Sequence, residues 1–145
     1  SKIKALIERG ITRDLFDVYH IAQNMGAMDF KTLKRAVIFY SCLELESDFR
    51  RKVGSRLLSG IDEKTIKREL KPLLRRVIVF PLEEARETVN SLIARIATLN
   101  EEEKEFVEAF YRLDYRPDLL FDSNPLLKYH PGAEWCLRML ARKSR

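Results

Sequence analysis

The sequence predicts an all-α protein. Apolar residues recur with a helical period in almost every segment, and glycines or prolines close several of these segments. Only the run at 77–80 has a β-like composition. With 145 residues, of which 46% are hydrophobic, the chain is long enough to bury one core. We therefore expect residues 1–145 to form one domain, a single bundle of about six or seven helices.

The clearest predicted helix covers residues 12–24. Thr12 is placed to be its N-cap and Gly26 to end it. Its apolar positions follow the i, i+3, i+4, i+7 spacing of one helix face: Leu15, Val18, Tyr19 and Ala22.

A second long helix is expected after Asp29, which can serve as its N-cap. Lys31, Lys34 and Arg35 are expected to face water. The predicted buried stripe consists of Leu33, Ala36, Val37, Tyr40 and Leu43.

The middle of the chain is more broken. A shorter helix is predicted to end at Gly60, and Asp62 then caps a basic helix that Pro72 should kink or end. The apolar run at 77–80 is directly followed by Pro81. Because no partner strand is visible, a buried extended connector is favoured over a short strand.

Three further helical segments follow. Pro81 fits the first turn of a long helix, and Asn100 is placed to cap the next one, whose first turn is acidic. Prolines divide residues 115–131 into short pieces, after which a last helix is expected over 134–142.

Composition limits the function classes only weakly. The net charge of +5 and the isoelectric point near 9.3 suit phosphate-bearing partners without requiring them. Cys42 and Cys136 fit neither a disulfide framework nor a metal-ligand spacing, so reduced thiols in a cytoplasmic protein are expected. No apolar run is long enough to cross a bilayer, and the first residues do not resemble a signal peptide. We expect no membrane partner.

The amino-terminal segment carries the charged residues of greatest interest. Asp14 and Asp17 are i, i+3 neighbours on the predicted helix, so their carboxylates lie close together. Ionising both is costly unless a cation intervenes, and the candidates are Arg13, Arg9, Lys2 or a bound metal.

A purely structural interpretation of this segment also exists. Asp14 would satisfy backbone donors at the start of the helix, and Asp17 would form a salt bridge with Arg13. The spacing by itself leaves both interpretations open.

Two sequence blocks stand close together at the amino end: Lys2-Ile3-x-Ala5-Leu6-x-x-Arg9 and Arg13-Asp14-Leu15-Phe16-Asp17-Val18-Tyr19. They resemble the paired signature of the AbiEii/AbiGii nucleotidyltransferase family, part of the DNA polymerase β-like superfamily. The family includes toxins of abortive-infection and toxin–antitoxin systems. Residues 130–135 are similar to its closing region.

The resemblance implies that residues 1–145 are the C-terminal helical domain of such a protein. The family's N-terminal catalytic domain, with a Gly-Gly-Ser/Thr turn and an Asp-x-Asp pair for nucleoside triphosphate and Mg²⁺, is absent from this sequence. The helical pattern is already running at Ile3, which also suggests a cut chain. The implied partners are that missing domain and, for a toxin, a cognate antitoxin.

The resemblance also implies roles for individual residues. Lys2 and Arg9 would contact the triphosphate, and Arg13 would orient Asp17. Asp17 or Asp14 would supply an acid/base or positioning function. No metal ligand and no cofactor are expected in this chain, and the parent would use Mg²⁺ and a nucleoside triphosphate. The chain alone is expected to be inactive, because the metal-binding carboxylates are missing.

Clustered basic residues suggest contact with a nucleic acid backbone, such as that of an RNA acceptor. Interleaved glutamates equally suit an ordinary solvated surface. An alternative without catalysis is therefore a stand-alone helical module that binds proteins or nucleic acids. The residues proposed for the basic surface are Arg50, Arg51, Arg56, Lys67, Arg68, Lys71 and Arg75.

Overall fold

The computed structural model describes residues 2–27, 29–44, 47–54, 56–74, 79–122 and 124–145. The described part of the chain is helical and contains no β-strand, which confirms the all-α prediction. The helices are α1 (Lys2–Arg9), α2 (Thr12–Gln23), α3 (Phe30–Glu44), α4 (Glu63–Thr65), α5 (Leu82–Ala97), α6 (Glu101–Tyr111), α7 (Pro125–Lys128) and α8 (Pro131–Lys143).

These helices belong to two compact units. The first unit comprises Ser1–Phe30 and Arg50–Ala97, and the second comprises Lys31–Phe49 and Thr98–Arg145. The assignment of residues 1–145 to one C-terminal domain stays a prediction.

In the first unit, α2 packs against both α1 and α5. Burial of these apolar side chains is the main source of stability, at roughly 25 cal/mol per Å² removed from water. The buried residues of the three helices include Ile3, Leu6, Ile7, Leu15, Val18, Tyr19, Ala85, Val89, Leu92, Ile93 and Ile96.

A glycine makes the corner between α1 and α2. Gly10 adopts φ 61°, in the left-handed region, and its N–H donates to Leu6 O at 2.8 Å. A Cβ at this position would lie 2.7 Å from Leu57 O, so both the conformation and the available space exclude a side chain. The corner brings the end of α1 next to the start of α2.

The predicted span of α2, residues 12–24, is correct to within one residue, but both predicted cap residues are wrong. Ile11 occupies the N-cap position and makes no side-chain cap, while Thr12 is buried inside the first turn. The helix ends at Gln23, and the N–H of Asn24 donates to His20 O. Gly26 instead lies in a short 3₁₀ turn, Met25–Ala27.

The basic segment after Asp62 forms as predicted but changes its helix type. Thr65 N–H donates to Asp62 Oδ1 at 2.7 Å, which confirms Asp62 as the N-cap. A π-helical turn, Ile66–Leu70, follows α4, and the segment ends in a 3₁₀ turn that contains Pro72. The proline interrupts the regular hydrogen bonding there.

The β-like run lies partly outside the described residues, which do not include Val77 and Ile78. Val79 and Phe80 belong to no strand. Phe80 is buried, with its ring centroid 5.8 Å from that of Tyr19. Val79 is instead 87% exposed, so the predicted burial of the connector is confirmed only at Phe80, which anchors the segment in the core of the first unit.

In the second unit, Phe39 on α3 is fully buried at the centre of an aromatic cluster. Its ring contacts those of Phe106, Phe121 and His130 at centroid distances of 6.3, 5.5 and 5.3 Å. Nδ1 of His130 also accepts from Gly132 N–H, which caps α8.

Asn100 and Glu103 form a complete capping box at the start of α6, which confirms Asn100 as the N-cap. The prediction that Lys34 and Arg35 face water is wrong. Their side chains are only 13% and 11% exposed, and Lys34 Nζ lies 2.8 Å from Glu103 Oε2. The glutamate thus links the start of α6 to α3 by an ion pair with little solvent contact.

Among the described residues, we find no helix with both the length and the apolar composition that crossing a bilayer requires.

Candidate functional site

The candidate site lies where α1 meets the first two turns of α2. Both helices belong to the first unit, and the Gly10 corner turns the chain back so that the cations of α1 meet the carboxylates of α2. Three of the five predicted site residues lie on α2 and two on α1.

Arg9 and Asp14 form the tighter of two ion pairs. Arg9 donates from Nη2 to Asp14 Oδ1 at 2.8 Å and from Nε to Oδ2 at 3.2 Å. The Asp14 side chain is 2% exposed, whereas that of Arg9 is 54% exposed. This bidentate geometry is the strong form of a charge-assisted hydrogen bond. Asp14 therefore fixes the position of the Arg9 guanidinium, while the Arg9 side chain remains about half exposed to solvent.

Lys2 and Asp17 form the second pair. Lys2 Nζ lies 2.9 Å from Asp17 Oδ2, with side-chain exposures of 55% and 27%. That oxygen is shielded from solvent and meets no donor at hydrogen-bond geometry, so the contact is mainly electrostatic. Again an exposed cation from α1 is held by a less exposed carboxylate of α2.

Arg13 does not join these pairs. Its side chain is exposed and makes no ion pair with another described residue. The expected pairing of Arg13 with Asp17 is wrong, because Lys2 reaches Asp17 across the helix junction. Asp14, expected to satisfy backbone donors in the structural interpretation, accepts instead from the side chain of Arg9.

The chemistry of this cluster suits anions better than cations. Three positive side chains stand beside two carboxylates, each already compensated by a cation. No group of three or more metal-ligating side chains converges anywhere in the described ranges. The residues at this junction do not fit a Mg²⁺ site, whereas exposed ammonium and guanidinium groups suit phosphate oxygens.

The basic residues proposed for nucleic acid binding belong to the first unit, with the exception of Arg75, which lies outside the described residues. Arg50 and Arg51 lie in the 3₁₀ turn Phe49–Lys52, while Arg56 lies in the following irregular segment. Five of these side chains are exposed: Arg51, Arg56, Lys67, Arg68 and Lys71.

One of these bases has an acidic partner. Arg68 Nη2 donates to Glu69 Oε1 at 2.8 Å, and this hydrogen bond lowers the pKa of the Glu69 carboxyl. At this position an acid and a base that are neighbours in the sequence are therefore in direct contact. An exposed pair of this kind is screened by solvent and salt.

An aromatic group beside the site was not predicted as functional. Phe16 and His20, one turn apart on α2, have ring centroids 4.3 Å apart with an interplanar angle of 78°. The i, i+4 spacing of two ring-bearing residues was the available sequence signal.

Buried Tyr19 is the residue before His20 on α2. The Tyr19 hydroxyl accepts from Gln23 Nε2 at 2.8 Å. Burial, together with the nearby Glu84 carboxylate, raises the pKa of Tyr19.

Comparison of the chain with models of protein families, with curated proteins and with solved structures finds no match.

Proposed function

We propose that this chain is the helical accessory domain of an AbiEii-like nucleotidyltransferase. In this proposal Lys2, Arg9 and Arg13 contact the triphosphate of a nucleotide that a separate N-terminal catalytic domain also contacts. The observation that carries the proposal is the pair of half-exposed cations, each anchored by a carboxylate of α2.

Anchoring prepares the cations for phosphate. Arg9 uses two of its five N–H donors on Asp14, so three remain for a ligand. A guanidinium already held in one position loses less conformational entropy when an anion binds. The same reasoning applies to Lys2, which Asp17 restrains. Exposed Arg13, two residues into α2, adds a third positive charge near the helix amino end.

The two carboxylates differ in what they can do. Asp14 is almost completely buried and both of its oxygens accept from Arg9, which suits a positioning role. Asp17 is the carboxylate that solvent reaches, so we assign the acid/base or substrate-positioning function to Asp17 first.

The parent protein would supply what this chain lacks. Its N-terminal domain would bind Mg²⁺ and further parts of the nucleoside triphosphate. If the parent is a toxin, as some members of the family are, a cognate antitoxin would be a further partner. The exposed bases of residues 51–71 would contact the phosphates of an RNA acceptor.

The proposal is tested in a protein that carries both domains, by measuring transfer of labelled nucleotide. Lys2→Ala should lower kcat/KM by at least about tenfold, the loss of roughly one charge-assisted contact. Lys104→Ala is the matched control, because Lys104 is also about half exposed and ion-paired, at 3.3 Å to Glu101.

Asp17→Ala should lower kcat strongly and change KM less. Circular dichroism establishes that each variant keeps its helices. Transfer that is unchanged in folded Lys2→Ala and Asp17→Ala proteins would remove both residues from the site.

The second candidate is a module that binds nucleic acid without catalysis, which the exposed bases of the first unit favour. The affinity of the 145-residue chain for RNA should then fall steeply as salt rises. Lys67→Glu should weaken binding and reduce the salt dependence, whereas Lys104→Glu, in the other unit, should not. An affinity insensitive to salt would contradict this candidate.

A further inference from the structure

One outward face of α2 carries both charged and aromatic side chains. Arg13, Phe16, Asp17 and His20 lie within about 100° of the helix circumference, given the rotation of about 100° per residue. Leu15, Val18 and Tyr19 occupy the opposite, buried face. The aromatic pair therefore shares a face with the site cations, and Phe16 lies where this face meets the core at Phe80.

Phe16 and His20 differ in exposure. Phe16 is partly buried, and its ring is braced by that of buried Phe80 at a centroid distance of 5.8 Å. His20 is exposed and stands edge-on to Phe16, with ring centroids 4.3 Å apart. The two rings are nearly perpendicular, so His20 is the ring that presents surface to solvent, and Phe16, packed on Phe80, supports it.

We propose that the exposed His20 ring, supported by Phe16, forms a stacking platform for the base of the nucleotide whose phosphates meet Lys2, Arg9 and Arg13. This inference rests on the proposed function and extends it by assigning a subsite for the heterocyclic ring. Aromatic surfaces next to cationic groups are the standard means of holding a base without reading its edge.

The spacing along α2 fits such a ligand. Arg13 and His20 are separated by about 10 Å along the helix axis, at about 1.5 Å per residue. An extended nucleoside triphosphate has a comparable reach from its terminal phosphate to its base. Because every base has a π-face, the platform should accept purines and pyrimidines with little preference.

The experiment compares the affinities of the 145-residue chain for ATP, CTP and inorganic tripolyphosphate. Both nucleotides should bind about tenfold more tightly than tripolyphosphate, the contribution of one stacked base. His20→Ala and Phe16→Leu should remove most of that difference while leaving tripolyphosphate binding unchanged. Phe16→Leu retains an apolar side chain against Phe80, and exposed His20 contributes little to the core, so both variants should fold.

Tyr129→Ala is the matched control, because Tyr129 is an aromatic residue that is 69% exposed in the other unit. It should leave all three affinities unchanged. Equal affinities for nucleotides and tripolyphosphate, both reduced by Lys2→Ala, would overturn the stacking platform but retain the phosphate contacts. If none of the three ligands binds, both the phosphate contacts and the platform are overturned.

Discussion

Arg9 and Asp14 are joined by two hydrogen bonds of 2.8 and 3.2 Å, although they lie on consecutive helices. The carboxylate is 2% exposed and the arginine side chain 54%. The pair is therefore asymmetric, because the Asp14 carboxylate is buried and depends on Arg9 for its hydrogen bonds, whereas Arg9 still contacts solvent. Removal of Arg9 and removal of the Asp14 charge should therefore lower the unfolding free energy by different amounts.

Arg9→Ala should be more destabilising than Asp14→Asn. Without Arg9, the Asp14 carboxylate is left buried and uncompensated, which should cost about 2 to 4 kcal/mol of unfolding free energy. Asp14→Asn should cost about 1 kcal/mol, because exposed Arg9 recovers solvation and one acceptor remains. Urea unfolding of both variants measures the difference. A loss from Asp14→Asn as large as that from Arg9→Ala would contradict the asymmetry.

Gly10→Ala should destabilise the protein by about 2 kcal/mol or more. The left-handed backbone disfavours any L side chain by about 1 to 2 kcal/mol, and the added Cβ would lie 2.7 Å from Leu57 O. Gly26→Ala is the control, since a Cβ there meets nothing within 4 Å. It should change stability by less than about 1 kcal/mol. Thermal unfolding of the two variants checks this, and equal effects would argue against a special corner at Gly10.

Glu103→Gln should lower the unfolding free energy by about 2 to 3 kcal/mol. Glutamine can still complete the capping box, but Lys34, which is 13% exposed, loses its counter-charge. The control is Glu101→Gln, because Glu101 is 94% exposed in its pair with Lys104 and should cost less than about 0.5 kcal/mol. Adding Lys34→Met to Glu103→Gln should recover part of the loss. A double variant no more stable than Glu103→Gln would contradict the buried ion pair as the cause.

Stability should fall between about pH 10 and pH 12 because of Tyr115. Burial raises the pKa of Tyr115 from 10.0 to about 12, and its hydroxyl donates to Leu127 O at 2.6 Å. The folded state thus holds the phenolic proton more tightly than the unfolded state. This contribution is complete below the unfolded pKa of 10.0 and is lost as the pH rises through the folded value.

Urea unfolding across this pH range, together with tyrosinate absorbance, provides the measurement. Tyr115→Phe should remove part of the decline, whereas Tyr129→Phe, with a ring that is 69% exposed, should not. Identical pH profiles for the wild type and Tyr115→Phe would show that the loss arises elsewhere.

Local signals in the sequence predicted local structure well. Asp62 and Asn100 cap their helices as expected, because a cap depends on residues within one turn. Thr12 failed as a cap although its type was suitable, because its side chain is buried inside the first turn and Ile11 holds the cap position. Helix existence is thus more predictable than the residue at which a helix begins.

The pairing of cations with carboxylates was much less predictable. The acidic pair required compensating cations, and the sequence left Arg13, Arg9, Lys2 and a bound metal open, with Arg13 as the partner of Asp17 in the structural interpretation. The fold supplies Lys2 instead, since the Gly10 corner places α1 beside α2. Likewise, Lys34 was expected in water and is paired with Glu103, which lies far away in the chain.

The amino-acid order alone determined the all-α class, the apolar faces of the helices and the capping residues at Asp62 and Asn100. Each depends on side chains within a few positions of one another. Only the tertiary structure decided which cation meets which carboxylate, and that Phe16 packs on buried Phe80 while His20 stays exposed. Those relationships depend on how separate helices pack and on which side chains water still reaches, and helical periodicity constrains neither.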